Sequence, residues 1–264
     1  MSLLKQNCRG SQSSRRGGYY PPALVGAHRV RPYDGSREAR KENKVKYINE
    51  LCERREKLNA IKADIVKAYE TIRDCYKNGN KVLICGNGGS AADSAHITGE
   101  LMKSFKKKRM IDETFEKKLK KQVENFFEKN MLSDVDKKVD EIKNALEKGL
   151  PTIDLTAFSG LNTAFANDKN PDYVFANSVL GLGLKEDVLI AITTSGSSRN
   201  VVNAAIVARA LDMKVVALTG KGGGCIKDIA DVNIIVDNDE TFMIQEEHIA
   251  IYHAICLDIE EEFF

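Results

Sequence analysis

The chain holds no tryptophan, only four histidines, and six cysteines so scattered that no two form a CxxC pair. With Cys85 in a predicted buried strand and Cys256 in a predicted helix, free thiols in a reducing cytoplasm fit better than a disulfide framework. No window is apolar for long enough to span a bilayer, and no apolar core of a secretory signal stands near the start. The formal net charge of +2 argues for neither nucleic acid nor a membrane as partner. What remains is 42% apolar and 30% charged in 264 residues, enough for one α/β domain with a full core and appendages. Of the few histidines, His96 falls in one short stretch and His248 with His253 in another. That clustering points to a site.

The chain is organised around Lys81 to Glu100, KVLICGNGGSAADSAHITGE. Val82 to Cys85 reads as a strand buried on both faces, because its apolar, β-branched run does not alternate. It breaks at Gly86-Asn87-Gly88-Gly89-Ser90, and helix-prone sequence follows. A glycine-rich turn between strand and helix leaves backbone N–H groups at the positive end of the helix, which suits a phosphate or another anion. His96 and Glu100, four apart, project from one face of that helix below the loop.

Elsewhere the order is legible from periodicity. Residues 1–41 are rich in Ser, Gly, Arg and Pro and have no acidic residue before Asp34, so a disordered basic tail is expected. From Glu42 to Asn78 the three-and-four spacing of Val45, Ile48, Leu51, Leu58, Ile61, Ile65, Ala68 and Ile72 predicts one long leading helix or two shorter ones. Residues 106–149 repeat that spacing twice, with a break near Asn130 to Ser133, and predict an inserted helical hairpin. The basic run Lys106-Lys107-Lys108-Arg109 reads as a solvated surface. Strands are predicted at Thr152–Leu155, Val188–Ile192, Val215–Leu218 and Val232–Val236. Helices are expected at Leu161–Ala166, Tyr173–Leu182, Asn200–Leu211 and Phe242–Glu262, with a loop at Asn167–Pro171. Repeated strand-then-helix order predicts a doubly wound parallel sheet of five strands, with ligands at the carboxyl ends.

A second loop, Thr193-Thr194-Ser195-Gly196-Ser197-Ser198, also follows a buried strand and opens a helix. Five hydroxyls in six positions exceed what plain N-capping requires, and they form a neutral phosphate cradle without a nucleotide fingerprint. Lys221 with the three glycines after it reads as a turn. On the closing helix Gln245 and His253 are eight apart, about 80° around the axis, and so can converge. With His96 and Glu100 they form a set that could ligate a divalent metal such as zinc or act as general base and acid without one.

Taken together, GNGGSAADSAH…E, LTAF…FAND, ITTSGSS and IQEEHIAIYH resemble the sugar isomerase (SIS) domain. More narrowly they resemble the bacterial phosphoheptose isomerases, which convert sedoheptulose 7-phosphate to D-glycero-D-manno-heptose 7-phosphate. The resemblance covers roughly Glu42 to Glu262, apart from the hairpin. It places Asn87, Gly88, Gly89, Ser90, Asn167 and Asp168 at the substrate, with Glu100 and Gln245, and gives the phosphate to Thr193, Thr194, Ser195 and Ser198. It makes His96, Glu100, Gln245 and His253 the zinc-ligating set, with Glu100 as proton-abstracting base and His253 as partner acid/base. It implies a cytoplasmic homotetramer with sites between subunits, no nucleotide cofactor, and no nucleic acid or membrane partner.

Two departures stand out. Family members usually carry an arginine near the position of Ser104, where this chain has Lys103-Ser104. The hairpin replaces a short connection and could lid the pocket or alter the length of substrate it takes. Three other readings compete with the heptose enzyme. A non-catalytic SIS protein that binds the replication initiator tends to lose the acid and the late histidine, both present here. A sugar-phosphate sensor usually carries a helix-turn-helix reader, for which the tail is too short and too rich in Gly and Pro. An SIS enzyme acting on an amino sugar phosphate fits the His/Glu and Gln/His pairs less well.

Overall fold

The computed structural model describes residues 45–264; the tail expected at residues 1–41 lies outside them. The leading segment forms two helices, α1 (Lys46–Arg54) and α2 (Lys62–Lys77), joined by a 3-10 turn over Glu56–Ile61. Then come β1 (Val82–Gly86), α3 (Gly89–Met102), and the hairpin of α4 (Glu113–Lys129) and α5 (Val135–Ala145). The remainder alternates: β2 (Thr152–Asp154), α6 (Ser159–Asp168), α7 (Val174–Leu182), β3 (Val188–Ile192), α8 (Arg199–Ala210), β4 (Lys214–Thr219), β5 (Val232–Ile235) and α9 (Thr241–Phe263). Among the described residues no helix is long and apolar enough to cross a membrane.

The five strands form one parallel sheet in the order β2-β1-β3-β4-β5. Alternate residues face opposite ways, which splits the core in two. Val82, Ile84, Val188 and Ile190 pack with α1, α2 and α9 on one face. Leu83, Cys85, Leu189 and Ala191 pack under α7 and α8 on the other. The chain leaves β1 toward β2 on one side, while β3 lies on the other, so the topological switch falls between β1 and β3. In such sheets the crevice at the carboxyl ends of those strands is where ligands sit, and it is where both Gly- and Ser-rich loops emerge.

Two expectations change, and the expected hairpin forms. The basic run is not all solvated: Lys106 and Lys108 are exposed, but Arg109 is 1% exposed and among the largest fully buried side chains. It is buried because Glu260 and two main-chain carbonyls accept its donors. Helix α6 runs through Asn167 and Asp168, so these end a helix and do not lie in a loop. The hairpin packs mainly along its own seam, where Val123 and Val139 are buried while Phe115, Phe126 and Leu146 stay exposed.

The leading helix is fastened from the far end of the chain. Asp258 on α9 accepts the first free N–H groups of α1, from Tyr47 at 2.9 Å and Ile48 at 3.0 Å. Burial raises the Asp258 carboxyl to about 6, against the downward pull of those two donors.

Candidate functional site

Both loops at the switch point end in helix N-termini that no side chain caps. Gly88 is the N-cap of α3, and Ser198 that of α8. Ser198 is a residue type suited to capping, yet its hydroxyl bonds Thr193 Oγ1 at 2.9 Å instead. The hydroxyl cluster is therefore built inward, with Thr193 buried and Ser195 Oγ accepting from the N–H of Ser197 at 3.2 Å. The first N–H groups of α8 are left for an anion. Gly196 makes this curl (φ +65°), and a Cβ there would overlap the main-chain carbonyl of Gly223. The glycines after Lys221 thus back the cradle and form more than a turn.

The two loops are stapled together by a reciprocal amide pair. Asn87 Nδ2 donates to Asn200 Oδ1 at 2.8 Å, and Asn200 Nδ2 donates to Asn87 Oδ1 at 2.9 Å. Nothing local in the sequence singles out Asn200, because its partner lies 113 residues away. Ser90 is buried in the first turn of α3, where its carbonyl accepts the Ser94 hydroxyl at 2.9 Å. Gln245 meets α3 at its start: a Cβ on Gly89 would overlap the Gln245 amide, so only glycine admits that contact.

About two turns lower, α3 and α9 bring together the titrating groups. His96 Nε2 lies 3.3 Å from Glu100 Oε1 and 3.4 Å from His253 Nε2. On its other side His96 Nδ1 is 2.9 Å from Tyr252 Oη, which donates to Asp93 Oδ1 at 3.2 Å. With the single phenolic proton committed to the Asp93 carboxylate, His96 Nδ1 is left to donate to the Tyr252 oxygen. Burial, and then the neighbouring His96, hold the His253 imidazole below its ordinary pKa, so it is neutral at pH 7. Burial also pushes the Asp93 carboxyl up, against the Tyr252 hydroxyl. Lys103 places its ammonium 3.3 Å from Glu100 Oε2 at the solvent edge. Asp93, Tyr252 and Lys103 are site residues that motif reading missed, although Asp93 stands one helical turn before His96 and Tyr252 adjoins His253.

The arrangement sets the Glu100 carboxylate and the His253 Nε2 each beside His96 Nε2. His96 Nε2 facing the Glu100 carboxylate suits a proton or a cation between them. Tetrahedral zinc with ligand bonds of about 2.0–2.1 Å sets its donors about 3.3–3.4 Å apart, which matches both separations. The set is not closed, however. Among the described residues no group of three or more His, Cys, Asp or Glu side chains is disposed to hold a metal ion, and Gln245 stands by Gly89 at the loop. Asn167 and Asp168 do not join this cluster either; exposed at the end of α6, they bond each other, Asn167 Nδ2 donating to Asp168 Oδ1 at 2.9 Å. Their helix packs chiefly on α7 and the turn before it.

Fold and site together define an SIS-domain protein: the sequence model of the SIS domain matches residues 46–149 and 146–220. A phosphoheptose isomerase of Campylobacter jejuni is 37% identical over 203 residues, 77% of this chain and 89% of that protein. One from Dechloromonas aromatica is 37% identical over 210 residues, covering 77% and 88%. Among solved structures, the phosphoheptose isomerase of Francisella tularensis superposes with a TM-score of 0.62 at 29% identity, covering 86% of this chain and 97% of that one. That of Neisseria gonorrhoeae gives 0.60 at 30% identity over the same shares. The chain belongs to the phosphoheptose isomerase family.

Proposed function

We propose that the chain is an aldose–ketose isomerase of heptose biosynthesis, converting sedoheptulose 7-phosphate to D-glycero-D-manno-heptose 7-phosphate through an enediol. One observation carries the reading: Glu100 and His253 each stand beside His96 below two loops whose helix N-termini no side chain caps. The hydroxyls of Thr193, Thr194, Ser195 and Ser198 and the N–H groups at the start of α8 hold the phosphate. Asn87, Gly88, Gly89, Ser90 and Gln245 line the sugar's path from that cradle to Glu100. Glu100 removes the carbon-bound proton and returns it to the adjacent carbon, while neutral His253 passes a proton between the two oxygens. Lys103 offsets the charge that Glu100 carries before and after the transfer.

The zinc set expected of His96, Glu100, Gln245 and His253 is not assembled in this structure, because Gln245 stands by Gly89 at the loop. A zinc ion would be held by His96, Glu100 and His253, with the Asp93–Tyr252 pair orienting the His96 ring. When bound, such an ion polarises the substrate carbonyl and its neighbouring hydroxyl. The site reaches its full form in a cytoplasmic homotetramer, in which Asn167 and Asp168 approach the substrate. Support for assembly comes from α6, which has no buried residue and carries exposed Leu161 with exposed Phe158 and Tyr173 beside it.

The test is a coupled assay of sedoheptulose 7-phosphate isomerisation on wild type and Glu100→Gln, with and without added zinc. Wild type is expected to turn over and Glu100→Gln to lose about 10²- to 10⁴-fold in kcat. Thermal stabilisation by the sugar phosphate without turnover would replace catalysis by sensing, and neither turnover nor stabilisation would sink the heptose assignment.

A further inference from the structure

The loop that leaves α3 for the hairpin is tied to both helices of the site by one buried ion pair that the reaction does not use. Arg109 divides its donors between the helices. Its Nη2 donates to the Glu100 carbonyl at 2.8 Å and its Nη1 to the Leu101 carbonyl at 2.7 Å, near the end of α3. Its Nε donates to Glu260 Oε1 on α9 at 2.9 Å. Glu260 is 1% exposed and also accepts the main-chain N–H groups of Phe105 at 2.9 Å, Lys106 at 2.8 Å and Lys107 at 3.0 Å. Burial works to raise the Glu260 carboxyl, and these donors more than offset it, so the group stays ionised. The Phe264 ring lies 4.7 Å from the guanidinium and closes the pair off from water.

Two charges are costly to bury, and anchoring a surface loop does not require it. What the pair touches explains the burial. One arm ends on the peptide carbonyl of Glu100 itself. The other holds the peptide N–H of Phe105, whose ring stands against the His253 imidazole with centroids 5.4 Å apart. Glu260 follows His253 by seven residues, two turns on along the same face of α9. The pair thus grips the backbone of one reacting residue and the packing partner of the other.

We infer that Arg109 and Glu260 are positioning residues, which lock α3 to α9 and Phe105 to His253 so that Glu100 and His253 keep their reactive spacing about His96. This rests on the isomerase reading above and extends it to side chains that touch no reacting atom. The hydroxyl-rich phosphate cradle lies between β3 and α8, which the pair does not touch, so the inference separates kcat from KM. It also separates a guanidinium fork, whose three nitrogens each reach a different acceptor, from a point charge whose donors all radiate from one nitrogen.

Arg109→Lys, Arg109→Ala, Glu260→Gln and Phe105→Leu are assayed with sedoheptulose 7-phosphate well below each variant's Tm. Arg109→Lys and Glu260→Gln are expected to lose tenfold or more in kcat with KM within twofold. Millimolar guanidinium chloride is expected to restore kcat of Arg109→Ala at least fivefold, where equal sodium chloride does not. Phe105→Leu, which leaves the ion pair and its main-chain bonds in place, is expected to lose threefold or more in kcat with Tm little changed. It decides the matter if the Arg109 variants fail to fold. Variants that melt lower but keep wild-type kcat and KM would overturn the inference alone, leaving the pair merely structural. Wild type without turnover would instead remove the isomerase reading and this inference with it.

Discussion

Tyr252→Phe removes one oxygen and tests the relay behind His96 without touching any group proposed to react. The lost hydroxyl takes two hydrogen bonds with it, to Asp93 at 3.2 Å and from His96 at 2.9 Å. Asp93 is the worse case. Its Oδ2 is buried without a partner, so the variant leaves a buried carboxylate with neither oxygen satisfied. A buried acceptor deprived of its donor costs about 1–3 kcal/mol, and the stranded Nδ1–H of His96 adds about 1 kcal/mol, for a loss of about 2–4 kcal/mol. The ring volume is nearly unchanged, so no cavity contributes. The functional effect is separate: His96 loses the bond that selects its tautomer, and such outer partners are worth about 10- to 100-fold in activity or metal affinity. Urea unfolding measures the first, steady-state turnover the second, and ring ¹⁵N shifts report which nitrogen of His96 carries the proton. Stability within about 0.5 kcal/mol of wild type, together with unaltered turnover, would refute the relay.

Three further expectations follow from burial and backbone geometry. Gly196→Ala places a Cβ against the Gly223 carbonyl at φ +65°; the left-handed backbone alone costs about 1–2 kcal/mol, and inorganic phosphate should compete with substrate at least tenfold more weakly, read by inhibition kinetics. His248 is fully buried, its Nε2–H donates to the Thr219 carbonyl, and burial lowers its pKa from 6.5 to about 4. The folded state therefore binds fewer protons between those values, so this contribution is complete above about pH 6.5 and is lost as pH falls toward 4, by about 3 kcal/mol at most. Asp258, raised to about 6, works in the opposite sense, so the check is the wild-type minus His248→Asn difference in unfolding free energy across that range, which a flat profile would contradict. Asp258→Ala should cost about 1–3 kcal/mol as the start of α1 loses its cap, with faster hydrogen exchange at Tyr47 and Ile48 as the local readout.

Strands and loops at the switch point were legible because they depend on local rules. An apolar run without alternation must lie inside a sheet, and glycine before a helix must expose N–H groups. The face shared by Gln245 and His253 was legible for the same reason, but not their separation along the axis. Eight residues rise about 12 Å, so one side chain stands at the loop and the other at the floor. The illegible parts are long-range partnerships. Lys106-Lys107-Lys108-Arg109 has the composition of a solvated run, and nothing within it tells Arg109 from its neighbours. The distinction comes from Glu260, 151 residues on, whose carboxylate also collects the N–H groups of the same loop. Asn200 is legible only through Asn87, and Tyr252 only through Asp93. In the proposed mechanism each of these residues holds a reacting group or loop in place and reacts with nothing itself. Motifs mark the chemistry because chemistry fixes residue type at short spacing. Positioning fixes only a distance between elements, and here that distance depends on polar pairs that the chain separates by more than a hundred residues.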